Sequence, residues 1–240
     1  MKILLSGNEA VARGAFEAGV EIAAAYPGTP STEILENISQ YEEIHAEWSV
    51  NEKVAFEVAF GAAVGGKRAL AAMKHVGVNV ASDALMTGSY TGINAGFVFI
   101  SADDPGMHSS QNEQDNRLYA RFAKIPILEP ATAQEAKDFV RIGLELSEEY
   151  DTPVMLRLTT RICHGKGLVE CGERTPDSRK KYKKNATKYV MIPAHARKKH
   201  LFVEARREKL TEKSENISLN KFEHADSDMG IITSGVAYQY

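Results

Sequence analysis

Cysteine is scarce in this chain: Cys163 and Cys171 are the only two in 240 residues. Their spacing fits neither a zinc knuckle nor a Cys-x-x-Cys redox pair, and two thiols make no disulfide framework. Both are read as reduced thiols. Long apolar runs are missing as well. Nothing approaches the ~18 residues of a membrane span. The apolar start, Met1-Lys2-Ile3-Leu4-Leu5-Ser6-Gly7, is too short for a signal peptide and reads as a first strand. A cytoplasmic location with no membrane partner is expected. Neither sign of charge dominates: the formal net charge of -3 gives no reason to expect nucleic acid or an anionic surface as partner. There is no Gly-x-Gly-x-x-Gly, no phosphate loop ending in Gly-Lys-Ser/Thr and no Gly-x-Ser-x-Gly elbow. The chain offers carboxylates and hydroxyls, with no evident means of holding a phosphate. What remains, 43% hydrophobic and 25% charged residues, is ordinary for a globular protein.

Short apolar runs alternate with helical patterns up to about residue 160. The runs at 2–5, 21–25, 44–48, 69–74, 97–101, 126–128 and 153–158 predict strands. The stretches 9–17, 30–41, 52–65, 79–90, 112–122 and 133–149 carry helical periodicity. Thr132 with Glu135 forms a capping box at the last of these, and Pro30 suits the first turn of its helix. Such alternation predicts an α/β domain, doubly wound around a mostly parallel sheet. The strands are continuously apolar, so helices should cover both faces. This domain is expected to span 1–172. A charged, partly helical connector follows at 173–226, its basic clusters balanced by nearby acids. It is either solvated or laid across a partner. At 227–240 the run Met229-Gly230-Ile231-Ile232-Thr233-Ser234-Gly235 reads as a strand opening a further domain, so the native polypeptide is expected to continue.

In a parallel sheet, ligands bind outside the carboxyl ends of the strands. Four segments leaving those ends have unusual content. Tyr26-Pro27-Gly28-Thr29-Pro30-Ser31-Thr32 places hydroxyls at a helix start, either as a capped turn or as a ligand loop. Glu52 shares a helical face with Ala55, Phe56, Ala59 and Ala63, whereas Lys53 and Glu57 form a separate polar stripe. Glu52 is then either a first-turn acid favoured by the helix dipole or a buried carboxylate awaiting a donor from elsewhere. Lys74-His75-Val76-Gly77-Val78-Asn79 reads as a loop in which Gly77 admits a close approach. The segment from Ser101 to Glu113 is a long polar loop, a lid or an interface element, without recognisable metal-ligand spacing.

Taken together, Tyr26-Pro27-Gly28-Thr29-Pro30-Ser31-Thr32, Asn51-Glu52-Lys53-Val54-Ala55-Phe56-Glu57, Lys74-His75-Val76-Gly77 and Asp103-Asp104-Pro105-Gly106-Met107-His108-Ser109-Ser110-Gln111-Asn112-Glu113-Gln114-Asp115 stand in an order that resembles the α-subunits of the indolepyruvate ferredoxin oxidoreductase family. The resemblance is strong over residues 1 to about 170 and continues to the segment at 230–235, which is similar to the start of a transketolase C-terminal-like domain. It implies the pyrimidine-type domain of the thiamine diphosphate-binding fold. The implied activity is oxidative decarboxylation of indolepyruvate and other aryl pyruvates to acyl-coenzyme A, with electrons passed through 4Fe-4S clusters to ferredoxin. Glu52 is implied to hydrogen-bond the pyrimidine nitrogen N1′ and favour the imino tautomer. Thr29 is implied to lie beside the reacting carbon, and Gly28, Pro30, His75 and Gly77 to line the cofactor.

The resemblance implies further parts. A diphosphate-binding domain holding magnesium, a ferredoxin-like domain with the clusters, and a β-subunit complete the enzyme. Residues 1–240 lack a Gly-Asp-Gly…Asn-Asn motif and clustered cysteines, so alone they are expected to be inactive. Pyruvate-type relatives carry an Arg after the fifth strand, where this chain has Ser101-Ala102-Asp103, so its carboxylate recognition must differ. Two alternatives stay open: a subunit of the same fold acting on 2-oxoglutarate or a branched 2-oxoacid, and a non-catalytic interaction module.

Overall fold

The structure, a computed structural model, describes residues 1–176 and 179–240. In chain order its elements are β1 (Lys2–Ser6), α1 (Gly7–Glu17), β2 (Ile22–Ala25), α2 (Thr32–Ile38), β3 (His45–Trp48), α3 (Glu52–Gly65), β4 (Ala69–Lys74), α4 (His75–Thr91), β5 (Phe97–Asp103), α5 (Arg117–Ala123), β6 (Ile127–Leu128), α6 (Ala133–Tyr150), β7 (Val154–Thr159), α7 (Thr160–His164), β8 (Lys166–Glu170), α8 (Ala186–Tyr189) and α9 (Pro193–Asn216). Six strands form one parallel sheet in the order β3-β2-β4-β5-β7-β6.

Side chains alternate across this sheet and fill two cores. Val98, Ile100, Leu156 and Leu158 meet α1, α2 and α6 through Val11, Ile34, Leu35, Val140 and Leu144. Phe97, Phe99 and Met155 meet α3, α4 and α5 through Phe56, Ala59, Val78, Leu85 and Ala120. The fold is therefore a doubly wound, three-layer α/β domain. Alanines dominate β2 and β4, at Ala23, Ala24, Ala25, Ala69, Ala71 and Ala72, which lets the helices pack closely there. Bulk is supplied by Phe56, whose ring meets Phe97 edge-on at 5.0 Å and Phe99 at 5.4 Å.

Several boundaries differ from the sequence expectation. β1 is not in the parallel sheet; it pairs antiparallel with β8 in a separate ribbon. β4 runs straight into α4 at His75, so the segment 74–79 is a helical turn rather than a loop. α5 begins at Arg117, which leaves residues 104–116 as the connection. Pro30 lies outside α2, which starts at Thr32. No strand forms at 229–235. Ile231 and Ile232 are exposed there, and no neighbour among the described residues takes up the backbone hydrogen bonds a strand requires.

The connector is docked on its own domain. Residues 173–226 hold fifteen Lys and Arg against eight Asp and Glu, so the segment is basic rather than balanced. Its cations meet acids of the domain: Arg179 with Glu21, Lys180 with Glu148, Lys188 with Asp151 and Lys213 with Glu149. Pairs this exposed stabilise little. The stronger attachment is Arg206, 3% exposed on α9. It donates to the carbonyls of Asp151 (2.9 Å) and Ser89 (2.8 Å), at the C-terminal ends of α6 and α4. Burial pushes this guanidinium down to about 10, leaving it charged at neutral pH. Arg206→Ala should cost about 3 kcal/mol by stranding two buried acceptors. A urea unfolding midpoint shows this; an unchanged midpoint would mean that α9 only rests on the surface. No helix among the described residues is long and apolar enough to cross a membrane.

Candidate functional site

All six strands of the main sheet are parallel, so their C-terminal ends lie along one edge. β2 and β4 are neighbours, yet the helices that follow them, α2 and α4, pack on opposite faces. The chain therefore parts between β2 and β4, and a crevice opens at that point.

Glu52 stands at this edge. Asn51 caps α3, its Oδ1 accepting the N–H of Val54 at 3.0 Å. One turn on, Phe56 locks the helix into the aromatic cluster. Lys53 and Glu57 pair at 3.9 Å on the outer stripe, and Lys53 also reaches Asp83 at 3.0 Å. The Glu52 side chain instead packs on α4 at Gly77. A Cβ on Gly77 would lie 2.5 Å from Glu52 Cγ and 2.7 Å from Oε1, closer than any side chain permits. Glu52 is half-buried rather than fully buried, because it caps the open edge of the sheet. Its carboxylate has no hydrogen bond or ion pair among the described residues.

The loop after β2 is closed on itself. Gly28 N–H donates to Thr32 Oγ1 at 2.9 Å, and Ser31 Oγ donates to Gly28 O at 2.8 Å. Ser31 thus serves the turn and does not cap α2. The Thr29–Pro30 peptide is cis. Thr29 is exposed at the edge, while Pro30 is buried beneath it with its carbonyl taking the amide of Asn8 at 2.8 Å. Across the crevice, the stem of Lys74 packs on Gly28; a Cβ there would lie 3.2 Å from Lys74 Cβ.

His75 is fully buried in the first turn of α4. Its Nε2 meets the carbonyl of Asn112 at 3.1 Å, which makes Nε2 the donor, while Nδ1 is buried without a partner. Asn116 returns a bond to the His75 carbonyl at 3.0 Å and donates to Ser101 Oγ at 2.8 Å. The 104–116 connection is thereby tied down over α4.

Two acids that the sequence reading left without a role organise that connection. Asp103, 1% exposed, accepts from Arg157 at 2.7 Å and from the N–H of Asn116 at 3.1 Å. Burial pushes the Asp103 carboxyl up against the pull of Arg157. Burial alone would lower the Arg157 guanidinium, but Asp103 and Glu129 hold it above its ordinary value. Arg157 was the readable signal, a charge inside an apolar strand that demands a buried partner.

Asp104 is also buried. It accepts from the N–H of Ser109 (2.8 Å), Ser110 Oγ (2.7 Å) and Thr160 Oγ1 (2.9 Å). Burial pushes its carboxyl up, but these bonds prevail and hold it well below the usual carboxylate range. A depressed folded-state value means that the stabilisation is complete above the ordinary carboxylate pKa of about 3.9 and is lost as pH falls below it. The melting temperature should fall between pH 5 and 3, and Asp104→Asn should remove the part of that fall due to this carboxylate. Parallel melting curves of the two proteins would contradict the assignment.

Among the described residues, no group of three or more His, Cys, Asp or Glu is placed to hold a metal ion. A cavity of about 400 Å³ lies elsewhere, between α9 and the β6 edge, lined by Ile125, Leu128, Leu146 and Leu210. The candidate site is an open edge of the sheet.

The family described as "Pyruvate flavodoxin/ferredoxin oxidoreductase, thiamine diP-bdg" matches residues 13–227. The chain belongs to this family and carries its thiamine diphosphate-binding domain. Over its whole length it is 47% identical to the indolepyruvate oxidoreductase subunit IorA of Archaeoglobus fulgidus and 49% identical to that of Methanothermobacter marburgensis, and it spans 40% of the length of each. It is 31% identical to the 2-oxoglutarate synthase subunit KorA of Methanothermobacter thermautotrophicus, over 63% of this chain and 43% of that one. The fold matches a 2-oxoglutarate:ferredoxin oxidoreductase from Magnetococcus marinus, with a TM-score of 0.70 at 16% identity, over 88% of this chain and 45% of that one.

Proposed function

We propose that the chain forms the aminopyrimidine side of the active site in an indolepyruvate-type 2-oxoacid:ferredoxin oxidoreductase. The observation that carries this reading is Glu52, an acid without a protein partner, seated in the space that Gly77 leaves open at the β2/β4 crevice. The fit to an aminopyrimidine is chemical. The ring needs a proton donor at a ring nitrogen, which Glu52 offers; Gly77 gives that carboxylate its seat and Gly28 gives the Lys74 stem its own. His75, fully buried, ties the first turn of α4 to the 104–116 connection beside them.

Bound thiamine diphosphate supplies the nucleophilic carbon and the electron sink for decarboxylation. Glu52 holds and shares the proton at the ring nitrogen, in a site that the second domain closes to water. Thr29 presents a hydroxyl to the substrate oxygens, Pro30 sets the loop that carries it, and Gly28 and Gly77 take part by seating Lys74 and Glu52 beside the cofactor. Magnesium and 4Fe-4S clusters are held by other parts of the complete enzyme, and coenzyme A, ferredoxin and the β-subunit are its partners. A cytoplasmic setting goes with this electron-transfer role. Indolepyruvate is favoured over 2-oxoglutarate because the indolepyruvate relatives match at 47% and 49% identity, against 31% for the 2-oxoglutarate subunit.

The test is an assay of the complete complex. Ferredoxin reduction should depend on an aryl pyruvate, coenzyme A and thiamine diphosphate. A complex that prefers 2-oxoglutarate, or turns over no 2-oxoacid, would contradict the reading.

A further inference from the structure

The substrate class proposed above brings a carboxylate to the crevice, and the acids already there repel it unless a cation answers. We propose that Lys74 binds the carboxylate of the 2-oxoacid; this deepens the function proposed above and rests on it.

The cations at this edge differ in what they have left to give. Arg157 is committed to Asp103 and Glu129. Arg117 is held by Asp115 at 2.7 Å. Lys74 makes no ion pair among the described residues. Its Nζ donates to one neutral acceptor, the carbonyl of Ser109, at 2.9 Å within reach of solvent. An ammonium has three N–H donors, so two remain, with a full charge uncompensated. A 2-oxoacid carboxylate matches that deficit.

Position supports the assignment. Lys74 ends β4, at the strand pair where the chain parts. Its stem packs on Gly28, next to exposed Thr29, which limits where the ammonium can swing. Three residues on, Gly77 carries the Glu52 carboxylate. A cation and a proton-sharing acid thus flank one crevice, and His75 and Gly77 lie on the helix between them. The bond to Ser109 also links the ammonium to the 104–116 connection, whose Ser109 Oγ reaches the Thr29 carbonyl at 3.5 Å. A carboxylate captured by Lys74 would be held beside the loop that carries Thr29. The rival anion is the diphosphate of the cofactor, and the experiment separates the two.

The test uses the complete complex with Lys74→Met and Lys74→Arg. Inhibition by indole-3-propionate is compared with inhibition by its primary amide, and thiamine diphosphate affinity is measured by calorimetry. A lost charge-assisted hydrogen bond corresponds to a factor of about 10 to 100. The wild-type complex should favour the acid by about that factor. Lys74→Met should abolish the preference and raise KM for the aryl pyruvate similarly, while Lys74→Arg keeps most of both. Cofactor affinity should stay within about twofold. A preference for the acid that survives in active Lys74→Met overturns the proposal. So does a loss of cofactor affinity with that preference intact, which would give the ammonium to the diphosphate. Failure of the underlying reading looks different: the wild-type complex itself would turn over no 2-oxoacid.

Discussion

Glu52→Gln should lower kcat of the complete enzyme by about 10² to 10⁴, the range in which a positioned proton-transfer group contributes. Glutamine keeps the length and shape of the side chain, so the packing on Gly77 and the Phe56 anchor one turn on are retained. What is lost is the ability to hold and release a proton. The loss should therefore appear in kcat, with thermal stability unchanged, because the carboxylate has no hydrogen bond or ion pair in the protein to give up. Steady-state ferredoxin reduction measures it. A decrease smaller than about fivefold would remove Glu52 from the chemistry and leave it a first-turn acid of α3.

Gly77→Ala should lower activity by about 10²-fold, the cost of moving a catalytic group by about 1 Å. The new methyl would meet Glu52 Cγ at 2.5 Å and the carboxyl carbon at 2.9 Å, so the acid must leave its place. Stability responds to two opposed effects. Alanine is the better helix residue by about 0.5–1 kcal/mol, and overpacking costs about 1–3 kcal/mol. The melting temperature should thus move by only a few degrees while activity collapses. The double variant Glu52→Gln/Gly77→Ala should be little worse than Glu52→Gln alone, since both changes act through one group. Multiplying losses would show that Gly77 serves something other than Glu52.

Local sequence signals made much of this architecture readable. The bounds of α3 follow from Asn51 as cap and Gly66 in the left-handed region at φ 104, and its inward stripe from helical periodicity. The strands 69–74 and 97–101 were legible as apolar runs, but the second continues through Ala102 to Asp103. That extension is tertiary in origin: Asp103 stays in the sheet because Arg157 waits on the adjacent strand. The start of α4 was hidden because Lys74, its N-cap, makes no side-chain cap bond, and Val-Gly-Val is a weak helical signal. β1 read as a member of the main sheet because its partner β8, with glycine and charge in it, did not read as a strand.

At the candidate site the sequence indicated the edge but not the contacts. The stripe of Lys53 and Glu57 set Glu52 apart on a helical wheel. That the acid rests on Gly77 depends on the crossing of α3 and α4, which no local pattern encodes. The knot around Asp104 was equally hidden, since one of its three side-chain or backbone donors, Thr160, lies far along the chain.

The proton sharing proposed between Glu52 and an aminopyrimidine is tested most directly by a structure of the complete enzyme with thiamine diphosphate bound. A Glu52 carboxylate oxygen should lie about 2.6–3.2 Å from a ring nitrogen of the cofactor, with the ring in the β2/β4 crevice. A cofactor seated away from that crevice, with Glu52 facing water, would contradict it.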